Sequence, residues 1–304
     1  LHLTKKVQLH LLPHKAKLPC FLNDYVVVCL AKCGGIDEAL QLARTLTRRT
    51  VFSWTAMISS CVECDRPHEA IHLYSLMQKD NVFPDHYTIV SVLKACGNVY
   101  NLEIGEKLHQ DARKFGFLSD IFIGNTLVSM YGKCGDLEGA KLAFDGISKH
   151  NLVSQTALIT AYAQHGKPYE ALKILDQFTV NDIFFMDDAI FVNLLSSCSR
   201  SGSLDEGVMC FGKMMEMRTR QPGLDHYCSI IDLLGRAGNL ANAQAFIDLM
   251  PCQPSRVLWM ALLGACRYRI DLVRGQRVAK HVFELNSSKG GSYAMLSNMY
   301  ANIQ

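Results

Sequence analysis

The chain has 304 residues, of which 49% are hydrophobic and 19% charged, a balance that supports a sizeable core and excludes a disordered segment. Its formal charge of +3 is far below that of a dedicated duplex-DNA binder, so any nucleic-acid contact must rest on a locally basic surface. Twelve cysteines in so long a chain fall short of a secreted disulfide scaffold and indicate a reducing compartment, and no apolar run reaches the roughly 18–20 residues that span a bilayer.

Taken in chain order, the sequence repeats itself. AKCGGIDEA begins at Ala31, GKCGDLEGA at Gly132 and GRAGNLANA at Gly235. A second set reads SVLKACGNVYNLEIG from Ser91, NLLSSCSRSGSLDEG from Asn193 and ALLGACRYRIDLVRG from Ala261. A third reads FSWTAMISSCVECDRPHEAIHLY from Phe52 and VSQTALITAYAQHGKPYEALKIL from Val153. Laid end to end, these strings give units of about 31 to 36 residues. The boundaries are a partial unit at 1–19, then 20–50, 51–85, 86–120, 121–151, 152–187, 188–223, 224–255 and 256–290, with a truncated unit at 291–304. The chain opens on Leu1 and stops at Gln304 inside that last unit, so a piece of a longer reading frame is expected.

The unit at 51–85 shows the internal logic. Trp54, Met57, Ile58 and Cys61 fall at helical spacing and predict a first helix. A polar break at 64–66 follows, and Pro67 stands where a second helix can begin without losing a hydrogen bond. Ala70, Ile71, Leu73, Tyr74 and Met77 supply its buried stripe, and residues 82–85 end the unit. The unit at 152–187 repeats the pattern with Pro168, Ala171, Leu172, Ile174 and Leu175. Neither helix can bury its apolar face alone, so an all-α, right-handed α-solenoid of stacked helix-turn-helix repeats is expected, with a concave inner surface. Ala70, Ala140, Ala171 and Ala243 share one place in the unit, where a small side chain lets helices approach closely.

Several strings invite other chemistry. His68-Glu69-Ala70-Ile71-His72 matches the zinc-protease string HExxH, but Glu170 and Ala171 hold the same repeat places with Tyr169 and Lys173 in place of the histidines. Cys61 and Cys64 precede His68 too closely for a zinc finger. A zinc deaminase needs His-x-Glu and a later Pro-Cys-x-x-Cys, and Pro251-Cys252 is followed by Gln, Pro and Ser. Cys33 and Cys134 share one repeat place and Cys96, Cys198 and Cys266 another, as packing thiols would; Trp54 and Trp259 sit at first-helix places suited to core or groove. No metal, cofactor or small-molecule substrate is expected, and no catalytic residue.

A period near 34 fits tetratricopeptide and pentatricopeptide repeats, and the Trp…Leu-Gly…Tyr pattern of the former is not found. FSWTAMISS, SVLKACG, IFIGNTLVSMYGKCGDLEGA and HYCSIIDLLGRAGNLANA resemble the pentatricopeptide repeat family, in its plant subfamily of alternating 35-residue (P), longer (L) and shorter (S) units. The resemblance makes 1–19, 86–120 and 188–223 L-type, 20–50, 121–151 and 224–255 S-type, and 51–85 and 152–187 P-type. LWMALLGACRYRIDLVRGQRVAKHVFELN and GSYAMLSNMYA resemble the two C-terminal extension (E) motifs, at 256–290 and 291–304. Such members select cytidines in mitochondrial or chloroplast transcripts for conversion to uridine. The resemblance thus implies a single-stranded RNA partner and a protein partner carrying a cytidine deaminase.

A base splayed from its stack needs flat apolar surface on each side and a polar group at its Watson–Crick edge. In the family the fifth and last residues of a unit face that edge and the second flanks the base. This implies Thr55 with Asp85 beside Phe52, Asn125 with Asn151 beside Phe122, Thr156 with Asp187 beside Val153, and Asp24 with Thr50 beside Phe21. By the family's pattern Thr with Asp prefers guanine and Asn with Asn a pyrimidine, cytosine first. Val90 with Asp120, and Val192, lack the polar fifth residue; Asp24 with Thr50 and Cys228 with Ser255 have no assigned base. The implied target is 5′-N-G-N-C/U-G-N-N-3′ along the N-to-C direction. Lys32, Lys133 and Arg236 share one repeat position and Lys94 lies near it, which implies contacts to the RNA backbone. Two alternatives stay open: a protein-binding helical scaffold, and RNA binding that serves splicing or stability instead of editing.

Overall fold

The computed structural model describes residues 20–44, 49–178, 187–216 and 221–285, with 294, 297–298 and 300–301. The partial unit expected at 1–19 and most of 291–304 lie outside these residues, as do the side chains of Phe21 and Asp24. The described residues form α-helices, one short 3-10 turn at Phe117–Ser119 and no strand. They fall into two compact units, Leu1–Leu158 and Ile159–Gln304.

The first unit contains α1 (Cys20–Lys32), α2 (Ile36–Arg44), α3 (Val51–Glu63), α4 (Pro67–Lys79), α5 (His86–Asn98), α6 (Leu102–Lys114), α7 (Ile121–Cys134) and α8 (Leu137–Asp145). It ends within α9 (Leu152–Gln164). Consecutive helices pair as hairpins. Each of α3, α5 and α7 packs on its own second helix, on the second helix before it and on the first helix before it. That threefold contact explains why α3 buries Ser53, Trp54, Ala56, Met57, Ile58, Ser60 and Cys61, well over one stripe, while α6 buries only Gly105, Leu108 and Ala112. Pro67 opens α4 as its fixed φ allows. Gly135 ends α7 in the left-handed region at φ 85, and its amide closes on the Gly132 and Tyr131 carbonyls.

The second unit repeats the plan with the rest of α9, α10 (Pro168–Leu175), α11 (Asp188–Ser201), α12 (Leu204–Glu216), α13 (Leu224–Ala237), α14 (Leu240–Asp248), α15 (Arg256–Arg269) and α16 (Leu272–Leu285). Here α11, α13 and α15 lie side by side, each against its own second helix. Pro168 opens α10 as Pro67 opens α4. No described helix is long and apolar enough to cross a membrane.

The small residues read from the sequence lie where each second helix is closely covered. Ala70, Ala140, Ala171 and Ala243 are fully buried, as is Ala39, and Gly105, Gly207 and Gly275 take the same place in the longer hairpins. A Cβ on Gly105 would run into the Met130 side chain, and one on Gly207 into Leu233. The larger residues of the following helix have grown into the space.

Among the described residues no group of three or more His, Cys, Asp or Glu could hold a metal ion, and His68 and His72 are both exposed on α4. Cys61, Cys96, Cys198, Cys210 and Cys266 are buried free thiols, whereas Cys64 and Cys252 are exposed. Burial pushes Cys61, Cys198 and Cys266 up to about 11 and Cys96 up to about 12, and raises Cys210 as well.

Two outcomes follow from this packing. A Cβ on Gly235 would sit 2.5 Å from Ala265 Cβ, an atom tied to the backbone of α15, so Gly235→Val overpacks the α13–α15 contact. A loss of about 2 kcal/mol is expected, since overpacking outweighs the smaller gain in helix propensity, and a urea titration followed by circular dichroism measures it. Brief iodoacetamide treatment of the native protein at pH 8 should modify the exposed Cys29, Cys33, Cys64 and Cys252 and spare the five buried thiols, as peptide mass spectrometry will read.

Candidate nucleic-acid interface

The first turn of a helix leaves amide N–H groups without partners, and the residue just before the helix normally supplies an acceptor. In this chain that residue is the last of the preceding unit. Thr50 Oγ1 accepts from Ser53 N ahead of α3, Asp85 Oδ1 from Thr88 N ahead of α5, and Asp120 Oδ1 from Phe122 N ahead of α7. Asn151 Oδ1 accepts from Ser154 N at the start of α9, and Asp187 Oδ1 from Ala189 N at the start of α11. Ser255 precedes α15 without a side-chain cap bond. A polar residue at this place therefore has a structural reason to exist, whatever else it does.

The fifth residue of a unit lies one turn into its first helix, and side-by-side packing of successive first helices carries it to the cap of the next hairpin. Thr55 Oγ1 is 3.4 Å from Asp85 Oδ1 and 2.6 Å from Thr88 Oγ1, with its own i−4 carbonyl, Val51 O, at 2.8 Å. Thr88 Oγ1 donates to Asp85 Oδ1 at 2.8 Å. A threonine hydroxyl carries one proton, and whichever of these three acceptors takes that of Thr55, it is consumed within the protein. Outward, Thr55 offers a lone pair. Asp85 Oδ2 has no partner among the described residues, so the half-buried pair presents acceptors only.

Asn125 and Asn151 meet in the same way, with Asn125 Nδ2 donating to Asn151 Oδ1 at 3.3 Å. Asn125 is 8% exposed and its Oδ1 is buried without a hydrogen-bond partner. An orphaned buried acceptor of this kind costs about 1–3 kcal/mol until a donor reaches it. The Asn151 side-chain amide N–H groups are left unused among the described residues, so this pair presents both an acceptor and donors.

The remaining sequence-derived pairs are less complete. Thr156 Oγ1 donates to Val153 O at 3.1 Å in the first unit, while Asp187 caps α11 in the second, and the two are described separately. Asp24, expected beside Thr50, lies outside the described side chains. Val90 and Val192 are half-buried on α5 and α11, and Cys228 is half-buried on α13 with its thiol pKa raised by desolvation.

The second residues stand out from the same first helices. Phe52, Phe122 and Val153 are each more than half exposed, uncommon for large apolar side chains on helices with wide buried faces. Tyr87, second residue of the 86–120 unit, is 65% exposed and belongs to the same row. The sequence reading missed it by attending to the apolar Val90 in that unit; its place two residues after Asp85 was the available signal. Tyr25 on α1 meets Phe52 edge to face, with ring centroids 6.1 Å apart.

The basic residues expected on one face sit near the C-terminal ends of first helices. Lys32, Lys94, Lys133 and Arg236 are all exposed. Lys133 Nζ donates to Asn98 Oδ1 at 2.8 Å, so the ends of α5 and α7 are linked by equivalent positions. Glu63 holds that position on α3, and Arg236 Nε pairs with Asp232 Oδ2 at 3.0 Å, so the row is mixed in charge. In the second unit Arg236 borders a groove of about 640 Å³ also lined by Arg200, Arg267 and Tyr268, which sequence reasoning did not single out.

Sequence models described as the PPR repeat family and the PPR repeat match residues 49–98 and residues 125–152, 156–183 and 189–218. A putative mitochondrial pentatricopeptide repeat-containing protein of Arabidopsis thaliana is 34% identical over 281 residues, 92% of this chain and 45% of that protein. The chloroplastic pentatricopeptide repeat-containing protein DOT4 of the same plant is 35% identical over 274 residues, 90% of this chain and 31% of that one. The chain thus spans less than half the length of these relatives. The crystal structure of the pentatricopeptide repeat protein PPR10 in complex with an 18-nt psaJ RNA element aligns with TM-score 0.75 at 16% identity, covering 99% of this chain and 45% of that one. A crystal structure of the pentatricopeptide repeat protein PPR10 from maize aligns at TM-score 0.60 and 18% identity, over 92% of this chain and 44% of that one. The shared fold is the expected α-solenoid.

The cap geometry has a consequence free of any ligand. Asn151→Ala removes the acceptor for Ser154 N and should lower stability by about 1 kcal/mol, read as a drop in the urea midpoint with unchanged slope.

Proposed function

The chain belongs to the pentatricopeptide repeat family, and from that premise we propose that it binds single-stranded RNA, with successive hairpins each taking one unstacked base. The observation that carries this reading is the half-buried Thr55–Asp85 pair, which presents only acceptors, on two successive first helices that also carry the exposed rings of Phe52 and Tyr87. A base filling such a site must bring two donors on one edge. Guanine does so with its N1–H and its N2 amino group, whereas adenine and cytosine each bring only an amino group beside an acceptor.

The Asn125–Asn151 pair asks for something different. Its buried Asn125 Oδ1 needs a donor and its Asn151 amide needs an acceptor, which the N4 amino group and N3 of cytosine supply together. Uracil can meet the same demand through N3–H and a carbonyl, and adenine through its N6 amino group and N1. The choice of pyrimidine, cytosine first, is therefore taken from the family's pattern, with which this donor-and-acceptor pair is compatible. With Thr156 and Asp187 as a second guanine reader, the target is 5′-N-G-N-C/U-G-N-N-3′, read by hairpins at 20–50, 51–85, 86–120, 121–151, 152–187, 188–223 and 224–255. Phe52, Phe122 and Val153 flank the bases, while Lys32, Lys94, Lys133 and Arg236 attract the phosphates.

The finer role is selection of a cytidine for conversion to uridine in a mitochondrial or chloroplast transcript. Support comes from the extension-like motifs at 256–290 and 291–304 and from relatives named mitochondrial and chloroplastic. The deaminase would be a partner protein engaged through those motifs.

Fluorescence anisotropy with the 304-residue chain tests the reading. Single-stranded RNA carrying the target should bind about tenfold more tightly than the same RNA with adenine at the second position, since a good base-edge contact discriminates by about 1–3 kcal/mol. Equal affinities would reject the register, and no binding to pooled single-stranded RNA would reject the function.

A further inference from the structure

Where the last side chain of a unit caps the following helix, it adopts one of two geometries, and these sort with the third residue of the following hairpin. Where that residue is Ser53, Thr88 or Ser154, the cap oxygen of Thr50, Asp85 or Asn151 accepts the third residue's own N–H. The third residue's hydroxyl then bonds back to the cap, at 3.0 Å from Ser53 to Thr50 O, 2.8 Å from Thr88 to Asp85 Oδ1 and 2.8 Å from Ser154 to Asn151 O. Where it is Ile123 or Ile190, no hydroxyl is present, and Asp120 and Asp187 accept the second residue's N–H instead. Ser53, Thr88 and Ser154 are each fully buried, so none of the three can touch a ligand.

Thr88 does more than lock a cap. Its Oγ1 lies between the two members of the pair, 2.6 Å from Thr55 Oγ1 and 2.8 Å from Asp85 Oδ1. By donating to Asp85 Oδ1 it holds that oxygen inward and leaves Oδ2 facing out. It also stands nearest to Thr55 Oγ1 of that hydroxyl's three internal acceptors. Without the hydroxyl, Asp85 Oδ1 keeps the Thr88 backbone N–H and the long contact to Thr55 but loses its side-chain donor. The carboxylate is then freer to rotate, while the Thr55 proton stays with Val51 O or Asp85 Oδ1. The pair then no longer presents two fixed acceptors.

We infer that Thr88 is a positioning residue for base choice: the third residue of the next hairpin, hidden from the RNA, sets which donors and acceptors the fifth and last residues display. This rests on the RNA-binding reading above and deepens it, since it makes specificity at one hairpin depend on the hairpin after it.

The test compares Thr88→Val and Thr88→Ser with the unaltered 304-residue chain, using target RNA with guanine or adenine at the second position. In Thr88→Val the preference for guanine should fall about three- to tenfold, the range set by losing one or two ordinary hydrogen bonds. Preference for cytosine over a purine at the Asn125–Asn151 position should stay unchanged, and Thr88→Ser should restore guanine preference. A merely structural role would instead weaken all RNAs equally. An unaltered chain without guanine preference overturns the base-reading assignment itself. Guanine preference that persists undiminished in folded Thr88→Val overturns the role of Thr88 alone. Should Thr88→Val fail to fold by circular dichroism, Thr88→Ala removes the same hydroxyl without filling its place. Guanine preference retained at full strength in that variant overturns the inference.

Discussion

The free amide groups at the start of every first helix must find an acceptor, and the arrangement at the interface descends from that need. Because the acceptor comes from the last residue of the preceding hairpin, the end of one unit is anchored on the beginning of the next. Side-by-side packing of α3, α5 and α7 then delivers a fifth residue to each anchor: Thr55 to Asp85, and Asn125 to Asn151. The small residues Ala70, Gly105 and Ala140 hold each second helix close enough for the first helices to stay in register. Two local requirements, a capped helix start and a close helix crossing, thus produce a regularly spaced polar row.

The cap alone does not account for the row. A threonine, aspartate or asparagine before a helix is explained by about 1 kcal/mol of capping, and would be found there in a chain that never met a ligand. Thr55 and Asn125 have no such excuse. Asn125 is buried with an unpaired carbonyl oxygen, a liability of the kind that folded chains retain when something else completes it. The exposed rings of Phe52, Tyr87 and Phe122 are a second cost to the isolated protein, borne on the same helices. Both costs are relieved by one kind of occupant, a flat ring with donors on its edge.

Much of this was legible in the amino-acid sequence because repetition makes each residue its own control. Pro67 and Pro168 at equal places foretold the second helices, and Ala70, Ala140, Ala171 and Ala243 their close approach. Thr55 with Asp85 and Asn125 with Asn151 followed from the family resemblance, and the geometry joins both pairs. What escaped was lateral. Thr88 reaches Thr55 from the neighbouring hairpin, across a separation that no local pattern spans, although the recurring polar-x-x-Ser/Thr at 50–53, 85–88 and 151–154 was there to be counted. Lys133 and Arg236, which the resemblance assigns to the RNA backbone, also engage Asn98 and Asp232, contacts set by adjacency of helix ends and by one helical turn that the sequence reading did not foresee.

Anchoring one hairpin's last side chain on the next bears on how such arrays can be rebuilt. A cassette cut at 51–85 would carry Thr55 and Asp85 into a graft but leave Thr88 behind, so the transplanted module would inherit whatever its new neighbour places third. The natural unit of exchange therefore overlaps its successor by one helical turn.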